Sequence, residues 1–486
     1  MLKDRWLAAI LVLGASVRLF GLGDRSLSYD ECQQFWASQG NVLVANRDIT
    51  LDPPGFALLL DLHATASRSE TWLRLLPCLF GVLGIAAVYR LARAGTGDPW
   101  TARAAAFFMA LAPYPIRYSQ SLRVYSQAML FGAILAAAYL EATEERETRG
   151  WKDAVVLGLA AFCALLSVYG SLWLVLMIAA LLARRSLRRD ERARRATIGL
   201  LAGVVAAAPF YLASIPVQMS QGTPASFYDD KFMPLSPLPA ARFLLQGTWD
   251  LASFFGFIHP TTGLLFGSLA ILGMAALRKL RPGADLLVLF LGSLAAAAAA
   301  SAVRLYPFGG TRQMLFAAPL FYVFGAAGIA ALRPRLGGLP AMAGLAAIAC
   351  GSAIFLYRYH TEPGGQEMRP VMRSLEEAAQ AGDRILVNKD AAPQFRFYYH
   401  GDPGRVVAGQ VTVIGDYLSE VNRVMTTGLQ SRWWLVFSHG WSAERRQELD
   451  AVDPRFVPKE RFEAHRAGAY LFVPRDAAPA GAGTPP

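Results

Sequence analysis

Residues 6–31 read WLAAILVLGASVRLFGLGDRSLSYDE, and this stretch decides how the chain is organised. Its first part, Trp6 to Phe20, is mostly apolar and close to membrane-spanning length. Gly-Leu-Gly-Asp-Arg follows it instead of a small-residue cleavage site, so we interpret it as a retained helix. The second part ends in the acidic pair Asp30-Glu31, and charges beside a membrane are costly unless they have partners or a function. The pair is therefore a candidate functional site at the lipid–water boundary.

Two explanations of the acidic pair stay open. Ser28 followed three residues later by Glu31 fits a capping box, and carboxylates stabilise a helix N-terminus. Alternatively, the two carboxylates serve an enzyme that acts on a lipid-linked substrate at the membrane boundary. The motif alone is compatible with both.

The composition indicates a polytopic α-helical membrane protein. Hydrophobic residues make up 54% of the 486 positions and charged residues only 17%, whereas a soluble protein carries about 25% charged residues. Ala- and Leu-rich segments of spanning length recur through the first 358 residues. We predict about eleven spans, at 5–22, 72–93, 101–116, 122–140, 153–168, 171–183, 196–215, 261–277, 284–303, 313–332 and 339–357.

The distribution of basic residues predicts the orientation. The net charge is +11, but seven arginines lie in one short connection, Arg184 to Arg195, which is typical of a cytoplasmic loop. With alternating sides, one side holds 20 basic residues in short loops and the other holds 11. We therefore expect a multi-pass protein of a bacterial inner membrane, with a cytoplasmic N-terminus and a periplasmic C-terminus. No soluble basic domain with interleaved aromatics is present, so the sequence does not predict a nucleic-acid partner.

A change in composition near Tyr359 predicts three regions. Residues 1–358 form the transmembrane domain, 359–476 a small soluble α/β domain outside the membrane, and 477–486 a disordered tail. In the α/β domain we predict strands at 383–387, 395–399 and 433–437, and helices at 366–381, 415–427 and 442–451. Trp433, Trp434 and Trp441 are candidates to face a saccharide or a cleft rim, with core packing as the alternative.

The polar segments that least resemble plain connectors fall on the predicted outer face. Asp52-Pro53-Pro54 either serves the substrate or caps a helix opened by Pro54, and both acidic sites would then begin short amphipathic helices along the membrane surface. Residues 117–126 alternate Arg and Tyr, which suits phosphate recognition or headgroup anchoring. The Gly-containing turn 304–312 is either a similar ligand site or an ordinary interfacial turn.

These segments follow one another in a recognisable order: Arg18-Leu19 with Ser28 to Glu31, Asp52 to Phe56, Trp72 to Pro77, Tyr118 to Ser126, and Tyr306 to Arg312. In this order they resemble the C-type polytopic glycosyltransferases, in the branch of the protein O-mannosyltransferases and the lipid A aminoarabinose transferase. The resemblance covers residues 1 to about 330. It departs from the family pattern at Ser121, where a second acidic residue is usual, and at Asp52, where basic residues or His are common.

The resemblance implies the fold of that family and an inverting transfer of a sugar from a polyprenyl-phosphate donor to an acceptor hydroxyl on the outer face. It leaves open a lipid, glycan or protein acceptor, and a divalent cation as cofactor. Asp30 is the candidate catalytic base, and Glu31 is a candidate to orient Asp30, the acceptor or a cation. The donor phosphate is assigned to Arg123 and Arg312, with Arg117 and Arg74 behind them, and further substrate contacts to Asp52, Tyr118, Tyr125 and Tyr306.

Two other functions remain as alternatives. A transporter or flippase of a lipid-linked saccharide would use the same arginines, but it should carry polar motifs on both faces, and the predicted cytoplasmic face has few. A membrane scaffold with an outer recognition domain would leave the clustered outer motifs unexplained. In the enzyme interpretation, we expect the C-terminal domain to help admit the acceptor.

Overall fold

The computed structural model describes residues 4–144, 151–221, 229–256, 260–336, 338–362, 364–401, 411–414, 418–439 and 447–477. The chain divides into two compact units. The first contains the residues up to Leu22 together with Ala37–Arg358, and the second contains Gly23–Trp36 together with the chain from Tyr359 onward. The acidic pair therefore belongs to the second unit, although the sequence analysis assigned it to the transmembrane region.

The first unit is helical throughout its described residues. Its long helices overlap the eleven predicted spans, and short helices fill the first loop. The helices are α1 (Arg5–Leu19), α2 (Tyr29–Ala37, which begins in the second unit), α3 (Val42–Ile49), α4 (Gly55–Ala64), α5 (Glu70–Thr96), α6 (Pro99–Leu111), α7 (Pro113–Ser119), α8 (Tyr125–Ala142), α9 (Trp151–Leu165), α10 (Ser171–Ser186), α11 (Glu191–Gln221), α12 (Pro237–Phe255), α13 (Pro260–Leu277), α14 (Arg281–Leu287), α15 (Ser293–Ala302), α16 (Ala318–Leu336) and α17 (Gly338–Thr361). A π-helical turn, Val288–Gly292, joins α14 to α15, and a 3-10 helix, Arg312–Ala317, precedes α16.

Five helical segments among the described residues are long and apolar enough to cross a membrane. They are Glu70–Thr96, Glu191–Ser220, Arg281–Ala302, Arg312–Pro334 and Met342–Thr361. These segments confirm a helical membrane protein. The count of eleven spans stays a prediction, because the other predicted spans correspond to shorter helices.

Local sequence explains where the helices begin and end. Asp4 opens α1 by accepting hydrogen bonds from the backbone N–H groups of Trp6 and Leu7, at 3.1 and 3.4 Å. Gly97 ends α5 in the left-handed conformation, with φ of +69°, and the next residue, Asp98, caps α6. This Gly-Asp-Pro sequence therefore produces a tight reversal between two helices.

A buried arginine ties α1 to the neighbouring helices. The Arg18 guanidinium is fully buried and donates to the carbonyls of Met109 and Ala110 at 2.8 and 2.7 Å, and to the Ser119 hydroxyl at 3.1 Å. Gly81 of α5 leaves the space for this contact, because a Cβ there would lie 2.0 Å from Ser119 Oγ. A buried charge needs such a set of partners. Arg18 therefore has a structural role.

The second unit contains a five-stranded mixed sheet with flanking helices. The elements are α18 (Met368–Ala378), β1 (Arg384–Asn388), α19 (Ala392–Tyr398), β2 (Val411–Ile414), α20 (Leu418–Met425), β3 (Trp433–Phe437), β4 (Phe456–Ala464) and β5 (Ala467–Pro474). The strand order is β2-β1-β3-β5-β4, with β1 parallel to β2 and β3, and β5 antiparallel to β3 and β4. The sheet confirms the predicted α/β class for this part of the chain.

The structure corrects several local predictions in this unit. Residues 395–399 lie mostly in helix α19, because Pro393 suits a first helical turn and the buried Gln394, Phe395 and Tyr398 share one helical face. The hairpin β4–β5 was not predicted. Trp433 and Trp434 are buried in the core, so the prediction that they face a ligand is wrong for both. Trp441 and the predicted helix from 442 to 446 lie outside the described residues, and 447–451 form a 3-10 helix.

Candidate functional site

Two arginines from distant segments meet at one tyrosine ring in the first unit. The Arg123 Cζ atom lies 5.7 Å from the centroid of the Tyr125 ring, and the Arg312 Cζ atom lies 5.8 Å from the same centroid. Both distances are within the cation–π range. Arg123 Nη2 is also 3.5 Å from the Tyr125 hydroxyl oxygen. We call Arg123, Tyr125, Arg312 and the adjoining Tyr118 the arginine–tyrosine cluster.

The turn between α7 and α8 contacts α1 at its beginning and the arginine–tyrosine cluster at its end. The Gln120 side-chain amide donates to the carbonyls of Arg18 and Phe20 at 3.0 and 2.7 Å, so it caps the end of α1. Ser119 accepts the bond from Arg18 described above. The turn is therefore fixed to α1 through one side, and the Arg123 and Tyr125 side chains project from it into the cluster.

Aromatic rings extend the cluster along α7. Tyr118 meets Tyr125 edge to face at 4.8 Å, and Tyr114 stacks near Tyr118 at 6.1 Å and packs against Phe254 at 3.9 Å. The exposed Arg117 lies close enough to Tyr114 and Tyr118 to act on both electrostatically. The predicted residues Arg117, Tyr118, Arg123, Tyr125 and Arg312 are thus brought together. Tyr114 was missed, although its spacing of four from Tyr118 on a short helix is a usable signal.

Asp52 joins the cluster through Arg123, with Asp52 Oδ2 at 3.5 Å from Arg123 Nη2. The Asp52 carbonyl accepts from the Asn46 side chain at 2.9 Å, and Gly55 N–H donates to the Leu166 carbonyl at 2.9 Å. A Cβ on Gly55 would lie 2.4 Å from that carbonyl oxygen, so glycine permits the close approach. The proposed capping role of Asp52 is wrong, because Pro54 is the N-cap of α4 and makes no side-chain cap bond.

Tyr306 and Arg74 have identified scaffold contacts. The Tyr306 hydroxyl donates to the Gln313 carbonyl at 2.7 Å, next to Arg312, and the buried Tyr306 ring packs edge-on against Trp173 at 5.7 Å. Arg74 is buried in α5 and donates to the Leu22 carbonyl at 3.3 Å. Tyr306 thus positions the segment that carries Arg312, and Arg74 holds the chain just after α1.

In the second unit, the two acidic residues have different environments. The buried Glu31 carboxylate accepts from the Ser28 backbone N–H at 2.9 Å, and the Cys32 N–H donates to the Ser28 carbonyl at 2.9 Å. This is the Glu31 half of a capping box, with Ser28 as N-cap of α2 and Glu31 at the third helical position. Asp30 is half-buried in the first turn of the same helix. The capping explanation is therefore confirmed for Glu31.

Tyr29 lies beside Asp30, and its environment is electronegative. Burial of the phenol raises the pKa of Tyr29, and the negative charges of Asp390 and Asp30 raise it further, whereas a hydrogen bond from Gln33 lowers it. The Tyr29 ring stacks on His439 with ring centroids 4.6 Å apart. Sequence reasoning missed His439, because the loop after a strand carries no local signal that a residue more than 400 positions earlier will stack on it.

The sequence did not decide whether the protein binds a metal ion. Within the part of the chain that the structure describes, no group of three or more His, Cys, Asp or Glu side chains is arranged to hold a metal ion.

Comparison with known proteins identifies the class to which this fold belongs. ArnT from Cupriavidus metallidurans in the apo state has a TM-score of 0.61 at 14% identity, over 97% of this chain and 98% of that chain. ArnT from the same organism bound to undecaprenyl phosphate has a TM-score of 0.60 at 13% identity, over 98% and 100%. The archaeal oligosaccharyltransferase AglB from Archaeoglobus fulgidus, in complex with an inhibitory peptide and a dolichol-phosphate, has a TM-score of 0.52 at 13% identity, over 99% and 75%. The chain thus has the fold of the C-type membrane glycosyltransferases.

The sequence carries a more particular signature. The family model described as dolichyl-phosphate-mannose-protein mannosyltransferase matches residues 52–212, which include Asp52, the α7–α8 turn and Arg123. No curated protein sequence matches the chain. The family match and the fold together confirm the predicted resemblance to the C-type glycosyltransferases.

Proposed function

We propose that this protein is an inverting glycosyltransferase that moves a sugar from a polyprenyl-phosphate donor to an acceptor hydroxyl. The observation that carries the proposal is the convergence of Arg123 and Arg312 on the Tyr125 ring, in a helical membrane unit. Arginine forms paired hydrogen bonds with phosphate oxygens, and the tyrosine hydroxyl adds a neutral donor. The fold is shared with proteins whose structures hold undecaprenyl phosphate or dolichol-phosphate, which supports a lipid phosphate as the ligand.

In the proposed reaction, the Asp30 carboxylate takes the proton of the acceptor hydroxyl as its oxygen attacks the anomeric carbon. The bond between that carbon and the phosphate oxygen breaks, and its electron pair stays on the phosphate. Attack opposite to the leaving group inverts the configuration. Arg123 and Arg312 stabilise the additional negative charge on the leaving polyprenyl phosphate.

We further propose that the chain lies in a bacterial inner membrane, with its N-terminus in the cytoplasm and its second unit in the periplasm. The support is the excess of basic residues in the loops assigned to the cytoplasm. The acceptor then reaches the enzyme from the periplasm.

The test compares Asp30→Asn with Glu31→Gln in the purified full-length protein. The assay supplies a cell-envelope extract as the source of the acceptor hydroxyl and measures release of free undecaprenyl phosphate from a panel of synthetic undecaprenyl-phosphate hexoses and aminopentoses. A separate experiment measures binding of undecaprenyl phosphate. Loss of the base should lower turnover by about 10²- to 10⁴-fold while binding is retained. Glu31→Gln should keep turnover within severalfold, because the amide oxygen still accepts the Ser28 N–H.

Two results would overturn the proposal. A well-folded Asp30→Asn protein with normal turnover removes Asp30 as the base. If the wild-type protein releases no undecaprenyl phosphate from any donor but moves the intact lipid-linked sugar across a vesicle membrane, the protein is a transporter.

A further inference from the structure

The sheet of the second unit has a topological switch point. The chain runs from β1 to β2 on one side and continues to β3 on the other side of β1, and all three strands are parallel. In open parallel sheets, ligands bind outside the carboxyl ends of the strands at the point where the strand order reverses. Here that point is bordered by Asn388 to Asp390 after β1 and by Ser438 and His439 after β3.

This end of the sheet is contacted by Leu27 and Tyr29 of the chain's own segment Leu27–Glu31, which we call the acidic segment. The Gln394 side-chain amide donates to the Leu27 carbonyl at 2.8 Å, and its oxygen accepts from the Ser438 hydroxyl. The Leu27 N–H donates to the Tyr398 hydroxyl, and the Leu27 side chain is fully buried. Leu27 is therefore held through both backbone groups and its side chain, as a bound peptide residue would be.

Two residues later, a linked pair of side chains holds Tyr29. The Gln366 side-chain oxygen accepts the Tyr29 N–H at 2.7 Å, and the Gln366 amide nitrogen lies 2.9 Å from His439 Nδ1. The His439 ring in turn stacks on the Tyr29 ring, with an interplanar angle of 20°. Gln366 is buried, and both of its hydrogen bonds are partly shielded from bulk water. Gln366 and His439 thus fix the backbone and the ring of the residue that precedes Asp30.

We infer that Gln366 and His439 are positioning residues for Asp30, and that the α/β unit binds the acidic segment at its switch point in the way such a sheet binds a ligand. The inference rests on the proposed role of Asp30 as the base. Glu31 caps α2 on one side of Asp30. On the other side, Gln366 and His439, which we call the clamp, fix Tyr29. The backbone is therefore held on both sides of Asp30. A displacement of about 1 Å in a reacting group can cost about 10²-fold in rate, so such a clamp matters for turnover.

The first experiment replaces the buried amide by a side chain of the same length without hydrogen bonds, Gln366→Met. Turnover of the undecaprenyl-phosphate sugar that the wild type uses best should fall by about 10- to 100-fold, whereas the KM for this donor and the affinity for undecaprenyl phosphate stay within twofold. The control is Asn422→Leu, which also removes two hydrogen bonds of a side-chain amide, from the Asn422 amide to the Ala451 carbonyl and from the Asp453 N–H to Asn422. The control should leave kcat unchanged at a similar loss of thermal stability.

The second experiment uses the exposed His439, where substitution is compatible with folding. His439→Ala removes the stacked ring and should lower kcat, and His439→Phe restores stacking on Tyr29 and should recover part of the loss. A purely structural effect of either residue would lower the melting temperature and the amount of active protein without changing kcat per active site.

The outcomes separate this inference from the proposed function. If Asp30→Asn abolishes turnover but Gln366→Met and His439→Ala both keep wild-type kcat, the clamp is wrong and the base assignment stands. If Asp30→Asn itself retains turnover, the proposed function fails, and the clamp as a device for catalysis fails with it. A loss of donor affinity in Gln366→Met as large as its loss of kcat also contradicts the inference, because positioning of the base should act after the donor is bound.

Discussion

The arginine–tyrosine cluster and the acidic segment are assembled by different physical means. The cluster lies on the α7–α8 turn and the 3-10 helix before α16, whose positions follow from helix packing and, at the turn, from the hydrogen bonds of Gln120 and Ser119. Its charges come from residues 123 and 312, far apart in the chain. The acidic segment runs from an irregular stretch into the first turn of α2, and its backbone forms hydrogen bonds with buried amide and hydroxyl side chains. A cation cluster thus depends on helix placement, whereas the carboxylate depends on individual hydrogen bonds.

The comparison also separates residues that look alike in the sequence. Asp30 and Glu31 are adjacent, but the Glu31 carboxylate caps a helix and Asp30 is half-buried beside the clamp. Arg18 and Arg123 both lie near a helix end, but Arg18 is fully buried among carbonyl oxygens, and Arg123 lies near Tyr125 and Asp52. Residue type alone does not distinguish a structural charge from one available to a substrate.

The largest effect that would sharpen this contrast is expected from Arg123→Lys and Arg312→Lys. Each change keeps the positive charge but removes the planar pair of donors, so the affinity for undecaprenyl phosphate should fall by about 10- to 100-fold. The control is Arg304→Lys, in the same turn, where the exposed arginine forms an ion pair with Asp229. It should change the affinity by less than twofold. Unchanged binding in both cluster variants would place the phosphate site elsewhere in the protein.

A smaller effect, of opposite sign, is expected from Asp52→Asn. The Asp52 carboxylate lies 3.5 Å from Arg123 and is 17% exposed, so it competes with a phosphate for the same guanidinium. Its neutralisation should tighten binding of undecaprenyl phosphate by about two- to fivefold, and more at low salt. The control is Asp48→Asn, which removes a more exposed carboxylate paired with Arg47 in the same loop. Weaker binding by the Asp52 variant would show that Asp52 organises Arg123 for the phosphate instead of competing with it.

Much of the first unit follows from sequence, because hydrophobic runs and turn residues act locally. The long helices overlap the predicted apolar segments. In the second unit, the contact between Glu31 and the Ser28 N–H likewise follows from a local spacing of three. The motif residues Arg117, Tyr118, Arg123, Tyr125 and Arg312 do lie together in the structure. The ion pair between Asp52 and Arg123 was not predicted, since it joins positions 71 residues apart.

The placement of the acidic segment could not be predicted, because its partners are remote and chemically ordinary. Gln366 lies 337 positions after Tyr29, and Gln394 lies 367 positions after Leu27. Glutamine has no pattern that marks it as a partner for a distant backbone. The strand prediction for residues 395–399 was wrong because it relied on the local β propensity of the aromatic residues. The burial of one face of α19 depends on tertiary contacts that local propensity does not include.

The smallest predicted effect concerns the ring that the clamp holds. Because burial and the charges of Asp390 and Asp30 raise the pKa of Tyr29 above its ordinary value of 10.0, the folded protein keeps the phenol proton at a pH where the unfolded chain loses it. The stability from this difference is fully present below pH 10 and is lost as the pH rises through the folded-state pKa. Tyr29→Phe keeps the stacked ring and lacks this proton, so its melting temperature should fall less steeply than that of the wild type above pH 10. Thermal unfolding of both proteins across alkaline pH measures the difference, with titrations at other residues common to the two. If the melting temperatures of the two proteins fall in parallel with pH, Tyr29 ionises as it does in the unfolded chain. That result would contradict the conclusion that the surroundings of Tyr29 raise its pKa.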